Sequence, residues 1–205
     1  MQSCIKRGVW SICLSLTLVE LSGCVSITSS NPKVREQFVN GTTNQTILAM
    51  VAQNDIDPSV RMAATRRLTD QSMVKTVATE DEDGDVRRTA VDQLADKDLL
   101  ATIAQTDSDA DVRRAAMDKL TDPMALAKIA IKDADPGIRK GAMERISDRT
   151  ILAAIATKAK DGAIRKSAVD KLNLAIHNSH MMAPPTYEWL AGAYIQAGAT
   201  DDAVL

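Results

Sequence analysis

A repeat of 26 residues runs through most of this 205-residue chain and constrains its fold more than any other feature. A branched aliphatic residue followed by arginine recurs at this interval in Val34–Arg35, Val60–Arg61, Val86–Arg87, Val112–Arg113, Ile138–Arg139 and Ile164–Arg165. Five full copies and one N-terminal half copy, which begins at Asn31, hold this register without slippage. Periods of this length are typical of solenoids, in which each copy packs against its neighbours.

Each copy has the pattern of two short helices. In one copy, Leu100, Ile103 and Ala104 form the apolar stripe of the first helix, and residues spaced by four continue it in the second. Aspartates stand where N-caps are needed: Asp57, Asp83, Asp109, Asp135 and Asp161 before second helices, and Asp70, Asp96, Asp122 and Asp148 before first helices. The sequence therefore predicts an all-α fold, an α-solenoid of stacked short helix pairs with a period of 26 residues.

The pattern D-x-D-x-x-V-R-x-x-A-x-x-x-L, read over residues 31–172, resembles HEAT-like repeats, including the short copies found in bilin-lyase-type proteins. Its 26-residue length is also similar to that of the leucine-rich repeat variant, whose copies alternate an α-helix with a 3₁₀ helix. The resemblance implies an architecture and leaves the function open.

The arginines that follow the aliphatic positions form an inner arginine column. On a helical wheel Arg61 falls in the same sector as Val60 and Ala64, so its guanidinium should be partly buried and should need a fixed anion. HEAT repeats use an aspartate six residues upstream, which predicts a structural ladder of the pairs Asp55–Arg61, Asp81–Arg87, Asp107–Arg113 and Asp133–Arg139. The ladder should end where Ser29 and Ala159 replace the aspartate. A row of ligand-binding arginines is the alternative.

The next residue of each copy forms an outer basic column, which consists of Arg88, Arg114, Lys140 and Lys166. Four residues further on stand Asp92, Asp118, Glu144 and Asp170, which predicts weak ion pairs along a solvated face. Because these carboxylates cancel the basic stripe and the net charge is -2, the sequence disfavours a nucleic-acid-binding protein.

Other arrangements of polar residues carry weaker signals. The acidic runs that begin at Asp81 and Asp107 are similar to the start of a calcium loop, but valine stands where that loop needs glycine. His177 and His180 lack companion ligands, and no catalytic constellation is present. We therefore expect no metal, no cofactor and no enzymatic activity. An enzyme or enzyme-accessory role stays open because some HEAT-like proteins act as bilin lyases.

The first 23 residues have the layout of a secretory signal, with Lys6 and Arg7 before a short apolar run. The sequence LSGC that ends at Cys24 resembles a bacterial lipobox, although Glu20 interrupts the apolar run. The resemblance implies cleavage before Cys24, acylation of this cysteine (palmitate among the chains) and a tether over residues 24–30. Val25 in place of aspartate resembles an outer-membrane signal, so we expect a lipid anchor in the outer membrane, facing the periplasm.

Beyond residue 172 the register is lost, and residues 173–205 read as a linker followed by a C-terminal helical segment. Six residues fall at the spacing of a tetratricopeptide repeat: Tyr187, Leu190, Ala191, Tyr194, Gly198 and Ala203. A capping helix is the simpler interpretation. Together these features predict a lipid-anchored envelope scaffold or adaptor with a protein partner of unknown identity, and a structural spacer is a further alternative.

Overall fold

The computed structural model describes residues 27–178, which form eleven α-helices and no strand. The signal segment, Cys24 and the tetratricopeptide-like segment lie outside the described residues. In chain order the helices are α1 (Pro32–Gly41), α2 (Gln45–Asn54), α3 (Pro58–Thr65), α4 (Gln71–Glu80), α5 (Gly84–Gln93), α6 (Lys97–Thr106), α7 (Ala110–Lys119), α8 (Pro123–Lys132), α9 (Pro136–Glu144), α10 (Arg149–Lys158) and α11 (Gly162–Asn178). Two compact units divide between Leu94 and Ala95.

The first unit contains α1 to α5 in two rows. Helices α1, α3 and α5 pack one against the next, α2 packs against α4 beside them, and the pairs α2–α3 and α4–α5 join the two rows. Each repeat thus contributes one helix to each row, which is the arrangement that the 26-residue period predicts.

The second unit repeats this arrangement with α6 to α11. Helices α7, α9 and α11 form one row, α6, α8 and α10 form the other, and each first helix packs against the second helix of its own copy. The predicted all-α fold, an α-solenoid of stacked helix pairs, is therefore confirmed.

The buried core consists of the repeated apolar columns. Two alanine columns are fully buried, and they allow close helix packing because a methyl group adds little bulk: Ala52, Ala78, Ala104, Ala130, Ala156 and Ala64, Ala90, Ala116, Ala142, Ala168. A column of larger residues, one per full copy, is also buried: Leu68, Leu94, Leu120, Ile146 and Leu172. Val34, in the half copy, is the exception in its column because it is 39% exposed.

The predicted aspartate caps are confirmed at every position. Asp109 accepts hydrogen bonds from the amides of Asp111 and Val112 at the start of α7, and Asp96 does the same for α6. Helices of eight to ten residues are marginal in isolation, so caps and packing between copies must stabilise them. None of the described helices combines the length and the apolar composition that crossing a bilayer requires.

Candidate functional site

The inner arginine column joins consecutive copies of the repeat. In α3 the guanidinium of Arg61 is nearly buried; its Nε and Nη2 donate to the two carboxylate oxygens of Asp81, at 2.8 and 2.9 Å. Its Nη1 donates to the backbone carbonyl of Asp55, at 2.9 Å. One side chain thus binds the backbone of its own copy through one hydrogen bond and the carboxylate of the following copy through a bidentate pair.

The same geometry recurs in both units. Arg35 binds the carboxylate of Asp55 at 2.8 and 2.9 Å, and Arg113 binds that of Asp133 at 2.9 and 3.0 Å. At the next step Ala159 occupies the aspartate position, and Arg139 binds Asp161 instead, at 3.2 and 2.5 Å. Asp161 therefore serves both as the ladder acceptor and as the N-cap of α11.

The predicted carboxylate partner is wrong for Arg61, Arg113 and Arg139. We expected a pair with the carboxylate six residues upstream. Instead, Nη1 of Arg61, Arg113 and Arg139 donates to the backbone carbonyl of that residue, at 2.9, 3.0 and 2.9 Å. The reason is local: the upstream aspartate shares a short loop with its own arginine, so its carbonyl lies nearest. Its side chain turns back to the preceding copy, as Asp55 does toward Arg35.

Two further predictions about the ladder are corrected in the same way. Arg87 donates Nη1 to the carbonyl of Asp81 at 2.9 Å, while the carboxylate of Asp81 holds Arg61. The carbonyl of Asp107 accepts from Arg113, and its carboxylate accepts the amide of Asp109 at 2.8 Å. The ladder also does not end at Arg35, because Arg35 uses the carbonyl of Ser29 together with its carboxylate partner.

Arg165 differs from the other arginines of the column. Its Nη1 donates to the carbonyls of Ala159 and Lys160, at 3.0 and 2.8 Å. Its Nε is buried, and no described residue accepts a hydrogen bond from it. Arg165 thus makes the hydrogen bonds to the backbone of its own copy, but no described carboxylate accepts a hydrogen bond from it.

The electrostatics of the column favour permanent charge. The hydrogen bonds that Arg35, Arg61 and Arg113 donate to the carboxylates of Asp55, Asp81 and Asp133 raise the pKa of these arginines above the ordinary value. The hydrogen bond from Arg139 lowers the pKa of Asp161. These arginines therefore stay protonated and Asp161 stays ionised near neutral pH, which suits structural pairing rather than acid–base catalysis.

A second column, which the sequence reading missed, binds carbonyl groups of the preceding copy. Arg67 donates to the carbonyl of Thr42 at 2.8 Å, and Gln93 donates to that of Thr65 at 2.7 Å. In the second unit Lys171 donates to the carbonyls of Met143, Glu144 and Ile146 at 2.7–3.0 Å. The members are Arg67, Gln93, Arg145 and Lys171, which are separated by 26 residues or by a multiple of 26.

The side chains of this carbonyl-binding column donate hydrogen bonds to backbone carbonyls at the C-terminal ends of helices in the preceding copy. Arg145 donates to the carbonyls of Met117 and Leu120, and burial lowers the pKa of Lys171. The last carbonyls of a helix lack intrahelical partners, and a long cationic side chain meets this need and the negative end of the dipole. The signal in the sequence was a polar side chain directly before the buried Leu or Ile of each copy.

The outer basic column lies on the solvated surface, as expected, and its members Arg88, Arg114, Lys140 and Lys166 are exposed. The predicted contact between Lys140 and Glu144 is confirmed at 3.9 Å. Arg114 differs, because it lies 3.8 Å from Asp111 and 3.6 Å from Asp135 instead of pairing with Asp118.

The exposed side of α8 and α10, two neighbouring first helices of the second unit, carries lysines without acidic neighbours on the same helix. Lys128, Lys132 and Lys158 are exposed there, and none of the three forms an ion pair with a described residue. Neither α8 nor α10 contains an acidic residue. Met124, at the start of α8, adds an exposed apolar side chain, so this first-helix face is basic and partly apolar.

No metal-ligating cluster of three or more His, Cys, Asp or Glu side chains occurs within residues 27–178. In the acidic run that begins at Asp81, the carboxylates of Asp81 and Asp83 accept hydrogen bonds from Arg61 and from helix amides. His177 lies in the last turns of α11, and His180 is outside the described residues. Comparison of the chain with family models, curated proteins and solved structures found no match.

Proposed function

We propose that this chain is a lipid-anchored scaffold or adaptor of the cell envelope, which binds a protein partner through one face of its HEAT-like helical repeats. The observation that carries the proposal is that the inner arginines are paired within the fold, whereas three exposed lysines are not. Arg61, Arg113 and Arg139 are held by carboxylates of the stack, whereas Lys128, Lys132 and Lys158 have no partner among the described residues. Exposed cations without an ion-pair partner in the fold are available to bind an acidic surface of another protein.

The first-helix face of the second unit is the surface that we assign to the partner. Lys132 and Lys158 occupy equivalent positions in neighbouring copies, and Lys128 lies one turn before Lys132 on α8. On α10 the position of Lys128 is taken by Ala154, whose small side chain allows a partner to approach the helix closely. Complementary charge would speed association and select the partner, whose surface should be acidic.

The anchor is tested first. Cys24→Ala should move the protein from the membrane to the soluble envelope fraction, and mass spectrometry of the wild type should detect acyl chains on the N-terminal peptide. A variant that still sediments with membranes, together with a wild type without acyl mass, would remove the lipid anchor from the proposal.

The partner is tested by site-specific photocrosslinking in intact cells. A photoreactive residue at Thr157, on the first-helix face, should give one discrete adduct, whereas the same residue at Asp118, in the other row, should give none. Reversal of Lys128, Lys132 and Lys158 to glutamate should abolish the adduct, and reversal of Lys140 and Lys166 should leave it intact. Absence of an adduct at every exposed position would favour the structural spacer.

A further inference from the structure

The helix α1 ends in an asparagine–glycine pair, Asn40–Gly41, and both residues are exposed. Of the asparagines in the chain, Asn40 alone precedes glycine. Glycine has no side chain to hinder its backbone nitrogen and adopts many backbone conformations, so this nitrogen can attack the side-chain amide of the asparagine before it. A Cβ atom added at Gly41 would meet no atom within 4 Å, so neighbouring groups do not enclose the pair.

The position of α1 in the array favours opening of its last turn. The backbone of a regular helix holds the side-chain amide away from the next nitrogen, so the turn must open before the two can react. As the helix of the half copy, α1 packs chiefly against α3 among the described helices. Val34 is 39% exposed, whereas its counterparts Val60 and Val86 are fully buried. Helix ends at the periphery of a fold open at a low cost in free energy.

Asn54 is a matched comparison, because it also lies at the C-terminal end of a ten-residue helix, α2. Its Nδ2 donates to the carbonyl of Met50 at 3.0 Å, and α2 packs against both α3 and α4. The side-chain oxygen of Asn44 is also engaged, because it caps the N-terminus of α2. The side chain of Asn40, in contrast, makes no hydrogen bond to a described residue.

We propose that Asn40 is a site of spontaneous deamidation. The backbone nitrogen of Gly41 loses its proton to hydroxide and attacks Cγ of Asn40, and the side-chain nitrogen leaves as ammonia. Water then opens the cyclic imide at either carbonyl, which gives aspartate or isoaspartate at this position. The reaction consumes one water molecule, releases one ammonia and changes no oxidation state. This inference goes beyond the proposed function and does not depend on it.

The modification changes a contact between copies. The amide of Thr42 donates to the carbonyl of Phe38 at 3.0 Å, and the carbonyl of Thr42 accepts Nη2 of Arg67 at 2.8 Å. Isoaspartate inserts a methylene group into the backbone between Phe38 and Thr42, so the last helical turn cannot keep its hydrogen bonds. The new carboxylate also meets the negative end of the helix dipole. Deamidation therefore loosens α1 from the copy that contains Arg67.

Ageing of the purified full chain at mildly alkaline pH tests the proposal. Peptide mass spectrometry should detect conversion of the amide to the acid at Asn40, and enzymatic methylation should detect isoaspartate there. Gly41→Ala fits without a clash and should slow the conversion about tenfold, because the methyl group hinders and restricts the attacking residue. Val39→Ala removes part of a buried side chain that holds the last turn, so it should speed the conversion.

Two comparisons within the same samples make the result decisive. Asn44 and Asn54 should remain unconverted while Asn40 reacts, and hydrogen exchange of the α1 amides should rise with the converted fraction but not in aged Gly41→Ala. Equal conversion at Asn40 and Asn54, or a rate that Gly41→Ala leaves unchanged, would overturn the site. An intact Asn40 after a synthetic peptide of residues 36–45 has fully reacted would also overturn it. Unchanged exchange in α1 after conversion would overturn the effect on the array.

Discussion

Arg113 and Arg114 are adjacent in the sequence and lie in opposite surroundings. The side chain of Arg113 is 11% exposed and lies 2.9 Å from the carboxylate of Asp133. The side chain of Arg114 is 49% exposed, and its nearest carboxylates are 3.6 and 3.8 Å away. One residue along a helix rotates a side chain by about 100°, which here separates a buried contact between copies from a solvated surface charge.

The difference explains why each copy places a cation close to a helix N-terminus. The positive end of the helix dipole disfavours arginine there. At Arg113 two contacts offset this cost, namely the carbonyl of Asp107 in its own copy and the carboxylate of Asp133 in the next. The inner arginine therefore stabilises the stacking of helix pairs within a unit rather than the helix that carries it.

The largest expected effect separates these two neighbours directly. Arg113→Ala should lower the free energy of unfolding by about 3–5 kcal/mol, because it leaves the buried carboxylate of Asp133 without its cation. Arg114→Ala is the matched control and should change it by less than about 0.5 kcal/mol. Urea unfolding of both variants measures the contrast, and equal losses would mean that burial does not distinguish the two columns.

A smaller loss is expected at the end of the inner column. Arg165→Ala removes hydrogen bonds to two backbone carbonyls but leaves no described carboxylate without its cation. It should cost about 1–2 kcal/mol, which is clearly less than Arg113→Ala. The same urea experiment compares the two, and a loss at Arg165 as large as that at Arg113 would contradict the role given to the buried carboxylate.

Acid should weaken the inner column through its carboxylates. The pKa of Asp161 is lowered in the folded protein, chiefly by the hydrogen bond from Arg139, so the unfolded state binds more protons as the pH falls. This stabilisation is complete above the unfolded pKa of about 3.9 and is lost as the pH falls through the lower folded value. Thermal melts of Asp161→Asn should therefore show a shallower decline below pH 4 than the wild type, and identical profiles would exclude the contribution.

The smallest effect is expected on the outer column. Lys140 and Glu144 are 77% and 63% exposed at a separation of 3.9 Å, so solvent screens their attraction. Lys140→Ala should change the free energy of unfolding by less than about 0.5 kcal/mol, and the difference should shrink further in high salt. A loss above 1 kcal/mol would show that the outer column also supports the stack.

Local patterns in the sequence were sufficient to predict the positions of the helices and the residues of the core. The caps at Asp96 and Asp109 and the buried positions of Ala104 and Leu120 depend on contacts within one helix or one pair, which the spacing shows directly. The partner of each arginine could not be read in this way. With a strict 26-residue period, Asp55 stands both six residues before Arg61 and 20 residues after Arg35, and the sequence alone does not choose between them.

The carbonyl-binding column was missed for a related reason. Arg145 donates to backbone carbonyls of the preceding copy, and any residue type can provide a carbonyl, so no complementary side chain marks the contact in the sequence. The unpaired character of Lys128 and Lys158 also depends on which carboxylates the fold brings near. Periodicity thus predicts the elements, whereas contacts between copies need the structure.

The central claim is that, within each unit, the inner arginines link one copy to the next through a carboxylate 20 or 22 residues downstream. A double-mutant cycle of Arg113→Ala with Asp133→Ala tests this most directly, with Arg113→Ala and Asp107→Ala as the comparison cycle. We predict a coupling energy of about 2–3 kcal/mol for Asp133 and a much smaller one for Asp107, whose carbonyl survives the substitution. Stronger coupling to Asp107, or additive behaviour in both cycles, would contradict the account.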